Sequence, residues 1–151
     1  MRVFASLMAL GGLPAVALSQ TPRPRPTLAL ELLPQALAVC RLAPTAEVPT
    51  WAQTSTRFLT ISRTSEELSV VAEQRVIPET VACERDYRAF RVKGPLPLNL
   101  IGILASIAEP LAEAGISIFA ISTYDTDYVL VKSADLDAAR RVLEHAGHHV
   151  R

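Results

Sequence analysis

The sequence predicts an α+β fold: two tandem ferredoxin-like units of strand-helix-strand-strand-helix order, their sheets joined side by side and the first crossover helix shortened. Three observations carry that prediction. The segment Phe119 to Val131 (FAISTYDTDYVLV) aligns without a gap on Leu59 to Val71 (LTISRTSEELSVV), sixty residues upstream, with Ile61-Ser62 on Ile121-Ser122 and Val71 on Val131. A copied strand-turn-strand indicates one supersecondary unit used twice. Between residues 87 and 147 the apolar period switches from two to 3.6 and back, as strands alternate with helices. Only twenty residues separate Cys40 from Thr60, whereas the matching interval from Arg91 to Ile121 is thirty, so the first copy lacks room for a full helix.

In chain order, Met1 to Leu18 combines a basic second residue with an apolar run, and Ala17-Leu18-Ser19 suits a signal-peptidase site. The run holds Gly11, Gly12 and Pro14 and is short for a membrane span. Residues 1–26 therefore read either as a cleaved export signal with an extended TPRPRP linker or as a leader on a cytoplasmic protein. Repeat 1 then occupies residues 27–86. Leu28 to Leu33 and Leu37 to Leu42 are apolar runs joined at Pro34-Gln35, a strand-turn-strand signal. Pro44 to Trp51 is a loop with at most one helical turn. Phe58 to Ser62 and Leu68 to Ala72 are strands around Arg63 to Glu67, and a helical turn near Glu73 ends before Pro78.

Repeat 2 occupies residues 87–151. Phe90 and Val92 alternate with Arg88, Arg91 and Lys93 on a half-buried strand, and KGPLPLN is a loop whose Asn99 suits an N-cap. Leu100, Leu104, Ile107 and Leu111 recur at helical spacing up to Gly115, with Pro110 expected to break one backbone bond and kink the helix. Ile116 to Ser122 is apolar on both faces, so both need cover. Asp127 to Lys132 returns antiparallel. A last helix buries Leu136, Ala139, Leu143 and Ala146 and stops at Gly147.

Composition excludes several functions. Lys+Arg and Asp+Glu balance at fifteen each, so no net field recruits nucleic acid or an anionic membrane, and the aromatic stacking platform of an RNA-binding sheet is missing. No nucleophile elbow, P-loop or dinucleotide fingerprint is present, and no cofactor is implied. His145, His148 and His149 have no carboxylate or thiol cluster beside them and read as cations at a helix C-terminus rather than as metal ligands. Cys40 and Cys83 read as reduced, packed thiols, or as a structural disulfide if the chain is exported.

The runs LALELLPQALAVCRL (28–42), FLTISRTSEELSVV (58–71) and AFRVKGPLPLNLIGILASIAEPLAEAGISIFAISTYDTDYVLVK (89–132) resemble small bacterial proteins with tandem ACT-like domains, related to the regulatory domains of aspartate kinases and to the CASTOR arginine sensors. The resemblance covers residues 28 to 147 and implies a non-catalytic, cytosolic amino-acid-binding regulatory module, with a homodimer or a regulated protein as its partner. It places a free amino acid against the loop and helix start at Leu98, Asn99, Leu100, Ile101 and Gly102, facing Ile118, Ser122, Thr123 and the turn of Asp125 and Asp127. The residue types agree. A helix start offers unpaired N–H groups to an α-carboxylate, Gly102 permits close backbone approach, the aspartates suit an ammonium, and the hydroxyls bond either way. Each also has a purely structural reading: Asn99 as a cap, the aspartates as turn formers, Tyr124 and Tyr128 as rim and cross-strand packing. The competing expectation is a ligand-free interaction module that dimerises through its sheets, with its seam filled by its own side chains.

Overall fold

The computed structural model describes residues 25–151. The expectations for the leader as far as residue 24 lie outside them. The chain runs through β1 (Ala29–Leu32), β2 (Leu37–Leu42), a single helical turn α1 (Thr50–Gln53), β3 (Leu59–Arg63), β4 (Leu68–Glu73) and β5 (Cys83–Val92). It continues through α2 (Ile103–Glu113), β6 (Phe119–Ser122), β7 (Asp127–Lys132), α3 (Leu136–His145) and a short β8 (His149–Val150). Short 3-10 turns follow β4 and β7. The shortened first crossover is borne out by the four residues of α1 against the eleven of α2.

All eight strands form one sheet, and β5 is its spine. Its first half pairs with β2, its second half with β1, both antiparallel and on the same edge, while β7 pairs on the other edge. The sequence expectation of a hairpin between β1 and β2 is therefore corrected. Pro34-Gln35 interrupts one extended run instead of reversing it, because a ten-residue partner is long enough to hold both pieces. The first unit has the order β3-β4-β2 and takes the start of β5 as its fourth strand. The second has β6-β7-β5 and takes β1. Each unit thus lends the other an edge.

The repeat is real, but its register differs by one from the gapless alignment. In the first hairpin Arg63 faces Leu68 and the Thr64 N–H donates to the Glu67 carbonyl at 2.9 Å. In the second, Ser122 faces Asp127 and the Thr123 N–H donates to the Thr126 carbonyl at 2.9 Å. Thr64 to Thr123 is 59 positions, not sixty. Burial agrees, since a one-residue slip would move every side chain to the opposite face: Val70 and Val129 lie under helices, whereas Val71 and Leu130 share a third cluster on the other face.

Three apolar cores result. Leu30, Phe90, Val92, Val129 and Val131 pack under Ile107 and Leu111 of α2 and Ala139 and Leu143 of α3. Ala38, Cys40, Leu68, Val70 and Ala72 pack under Ala52 of α1. Leu37, Phe58, Val71, Ala89 and Leu130 fill the opposite face, with Phe119, Ile121 and Tyr128 against them. The rings of Phe58, just before β3, and Tyr128 on β7 meet edge-to-face at 5.1 Å. Four strand spacings in a flat sheet would separate β3 from β7 by about 19 Å, so the sheet curls and the seam between the copies is closed by its own side chains. Cover on both faces holds only before β6, where Ile116 and Ile118 pack on the α2 core; along β6 Phe119 and Ile121 face the inner core while Ala120 and Ser122 are exposed.

Cys40 and Cys83 stand opposite each other on β2 and β5 and are joined as a disulfide, with Cα atoms 4.2 Å apart. The reduced-thiol expectation is corrected: strand pairing brings together two cysteines that are distant in sequence.

Helix ends follow local chemistry. Both long helices stop in Schellman motifs, with the Ile116 N–H on the Leu111 carbonyl and Gly115 N–H on Ala112, and the His148 N–H on Leu143 and Gly147 N–H on Glu144. Gly115 and Gly147 supply the positive φ these turns need. Ala146, expected in the buried stripe of α3, is exposed just past its end. Pro110 lies inside α2 and is buried. It cannot donate to the carbonyl of Ser106 four residues earlier. That carbonyl instead lies 3.0 Å from Nε2 of His148, whose Nδ1 accepts the Leu28 N–H at 3.2 Å. A carbonyl only accepts and an N–H only donates, so the ring is neutral with its proton on Nε2. His148 is thus a buried brace between α2 and the start of β1, which corrects the expectation of a cation at a helix end.

Candidate functional site

The loop after β5 crosses the mouth of the second unit and meets the β6–β7 turn. Gly94 makes that approach possible: a Cβ there would sit 2.7 Å from the Asp125 carbonyl. The Leu96 N–H donates to that carbonyl at 2.8 Å, and Thr126 Oγ1, buried, donates to the Val92 carbonyl at 2.6 Å. Between the pinned loop, the start of α2 and the turn lies a cleft of ≈ 370 Å³.

Seven of the ten residues expected at a site line this cleft: Leu98, Leu100, Gly102, Ser122, Thr123, Asp125 and Asp127. Asn99 and Ile101 are exposed and do not line it, and Ile118 packs against the α2 core. Tyr124, weighed as a rim residue, also lines it, as do Leu96, Pro97, Ile103, Leu104, Ala105 and Thr126, which were not expected there. Pro97 carried the one signal that could have found its neighbours, since it closes a turn with the Leu100 N–H on its carbonyl at 3.0 Å. That turn also corrects the helix start. The chain enters α2 at Ile103, with Gly102 at φ +85° as the flanking residue and no side-chain cap, so Asn99 is not an N-cap.

The cleft is polar on two sides. On one, the first turn of α2 presents N–H groups that no side chain caps. On the other, the hairpin satisfies most of its own groups: Ser122 Oγ donates to Asp127 Oδ1 at 2.6 Å, and Thr123 Oγ1 donates to the Thr126 carbonyl at 2.8 Å. The Asp125 carboxylate has no hydrogen-bond partner among the described residues and is exposed. The rim is apolar, with Leu98 75% and Tyr124 80% exposed. Among the described residues no group of three or more His, Cys, Asp or Glu is placed to hold a metal ion, and no helix is long and apolar enough to cross a membrane.

The comparisons with known proteins agree with this architecture. Residues 82–145 match the ACT domain family, and residues 35–80 match a model of an N-terminal domain. A protein of known structure from Agrobacterium tumefaciens is 35% identical, with a TM-score of 0.78 over 83% of this chain and 93% of its own. The human protein CASTOR3P is 26% identical over 114 residues, 65% of this chain and 70% of that protein. The regulatory subunit of aspartate kinase from Thermus flavus, at 11% identity, shares the fold with a TM-score of 0.55 over 80% of this chain and 97% of its own. The chain is an ACT-domain protein, its ACT domain spanning residues 82–145. Its α+β, ferredoxin-like architecture is that of ACT regulatory domains.

Proposed function

We propose that the chain is a non-catalytic regulatory module that binds a free amino acid in the cleft between the α2 start and the β6–β7 turn. The observation that supports this reading is the pairing, within ≈ 370 Å³, of an uncapped helix N-terminus with the unpartnered Asp125 carboxylate. The first suits an α-carboxylate through its N–H groups and positive dipole end. The second suits an α-ammonium or a basic side chain. A zwitterion needs both charges at one small distance, and the volume falls in the range of small-molecule sites.

A thermal-shift screen of the twenty amino acids tests the reading. Binding raises stability by about 2.7 kcal/mol at a hundredfold excess over Kd, and Asp125→Ala should remove the response with the fold intact. No shift with any amino acid at millimolar concentration would sink it. The exposed Leu98, Ile101 and Tyr124 favour a second reading, a protein-docking or dimerising surface. A strict monomer by light scattering counts against its dimeric form. The Cys40–Cys83 bond supports an exported location, since disulfides persist in oxidising compartments. N-terminal sequencing of the native protein tests that: a start at Gln20 supports export, and an intact Met1 supports a cytoplasmic chain.

A further inference from the structure

In the corrected register the two copies differ, beyond their helices, in the side chain that faces the loop. On β3 and β6 the offset of 59 places Arg63 on Ser122. On β2 and β5 the pairings of Arg41 with Ser69 and of Arg91 with Tyr128 give an offset of 50, placing Pro44 on Gly94 and Ala46 on Leu96. The Ser122 hydroxyl folds back onto Asp127 at 2.6 Å and leaves the second cleft open. The Arg63 guanidinium does the opposite. It extends to the loop and donates through Nη1 to the Pro44 carbonyl and through Nη2 to the Ala46 carbonyl, the latter at 2.7 Å. These carbonyls are the counterparts of Gly94 and Leu96 in the loop that walls the open cleft.

The two copies also fasten their loops differently. The second closes loop on turn by direct backbone contact, Leu96 N–H to the Asp125 carbonyl. In the first, Arg41 binds the turn at the Glu67 carboxylate (2.8 Å) and the Glu66 carbonyl (3.3 Å), while Arg63 binds the loop. A planar guanidinium with several donors satisfies two carbonyls at once, which a shorter side chain in that place cannot do.

We infer that Arg63 is a resident occupant of the first copy's counterpart of the cleft, so that the chain carries one open site and one self-filled site specific for a guanidinium group. This goes beyond the amino-acid reading of the second cleft and does not depend on it, because the two sites are read out at different residues.

The test is chemical rescue followed by amide chemical shifts. In Arg63→Ala, methylguanidine titrated into the full chain should produce saturable shifts at the amides of residues 45–47 and 64–67. The parent chain should show none at those residues over the same range, since its own guanidinium is in place. Tetramethylammonium, a cation without N–H donors, should not reproduce the shifts. Arg63→Gln, a shorter polar side chain without the charge, serves if the alanine variant does not fold. The inference is overturned if methylguanidine leaves residues 45–47 unmoved in the variants, moves them equally in the parent chain, or is matched there by tetramethylammonium.

Discussion

Breaking the Cys40–Cys83 bond should weaken the first unit far more than the second. The bond spans 43 residues of sequence, and the closed loop contains α1, β3 and β4 entire. In the chain-entropy account a loop of that length restricts the unfolded state by about 4 kcal/mol. That is a large share of the roughly 5–15 kcal/mol that holds a domain together. For a chain of this size the unfolding midpoint should fall by roughly 10–20 °C. The measurement is a pair of calorimetric melts, with and without a phosphine reductant, repeated on Cys40→Ala/Cys83→Ala, where reductant should have no further effect. Amide exchange then locates the loss. Protection of β3 and β4 should drop, whereas β6 and β7, outside the loop, should keep theirs. Oxidised and reduced melts agreeing within about 2 °C would refute the reasoning, as would equal loss of protection in both units.

Two further perturbations have signs that follow from the structure. Glu73 is 1% exposed; its carboxylate accepts the Arg57 N–H at 2.8 Å and pairs with Arg75 Nε at 2.9 Å. The Arg57 amide bond and then the Arg75 guanidinium hold its carboxyl below the ordinary value of 4.5, against the opposing effect of burial. A depressed folded-state value means that this stabilisation is present above pH 4.5 and lost as pH falls through the folded value. Urea titrations across pH 2–7 should therefore show a flatter acid limb for Glu73→Gln than for the parent. At Gly102, φ is +85° and nothing lies within 4 Å of a built Cβ, so Gly102→Ala meets backbone strain without a clash. It should cost about 1–2 kcal/mol, visible as a lower melting midpoint, with the α2 core intact by near-ultraviolet dichroism.

Much of the second unit was legible because each of its elements carries a complete local signal. β7 spans Asp127–Lys132 as alternation and turn chemistry required, and Gly115 and Gly147 end their helices where a positive φ was expected. The errors came where a distant partner decides. Pro34-Gln35 has the composition of a turn, but whether the chain reverses there depends on β5, fifty residues away. Asn99 has the chemistry of a cap, yet the Pro97–Leu100 turn and the left-handed Gly102 move the helix start to Ile103. Pro110 conflicted with its own helix until His148, nearly forty residues on, supplied the missing donor. The one-residue error in the repeat has a similar origin: identity at Ile-Ser outweighed hairpin register, which depends on hydrogen bonds rather than on letters. Of the cleft, the acidic turn and the stretch from Leu98 to Gly102 were visible in sequence, but the contact of Leu96 with the turn was not, because its partner Asp125 lies nearly thirty residues on.

The exchange of edges between the units bears on where this protein can be cut. Sequence duplication suggests two modules in series, each able to live alone. The strands say otherwise, since β1 lies at the N-terminal end yet completes the C-terminal unit, and the first half of β5 completes the unit before it. Severing the chain between β4 and β5 would strip one paired edge from each half and leave rows of unsatisfied N–H and C=O groups, an invitation to aggregate. The heritable unit and the folding unit are therefore different objects here. A fragment designed from the repeat boundaries would inherit the sequence of one ACT-like copy and the cohesion of neither.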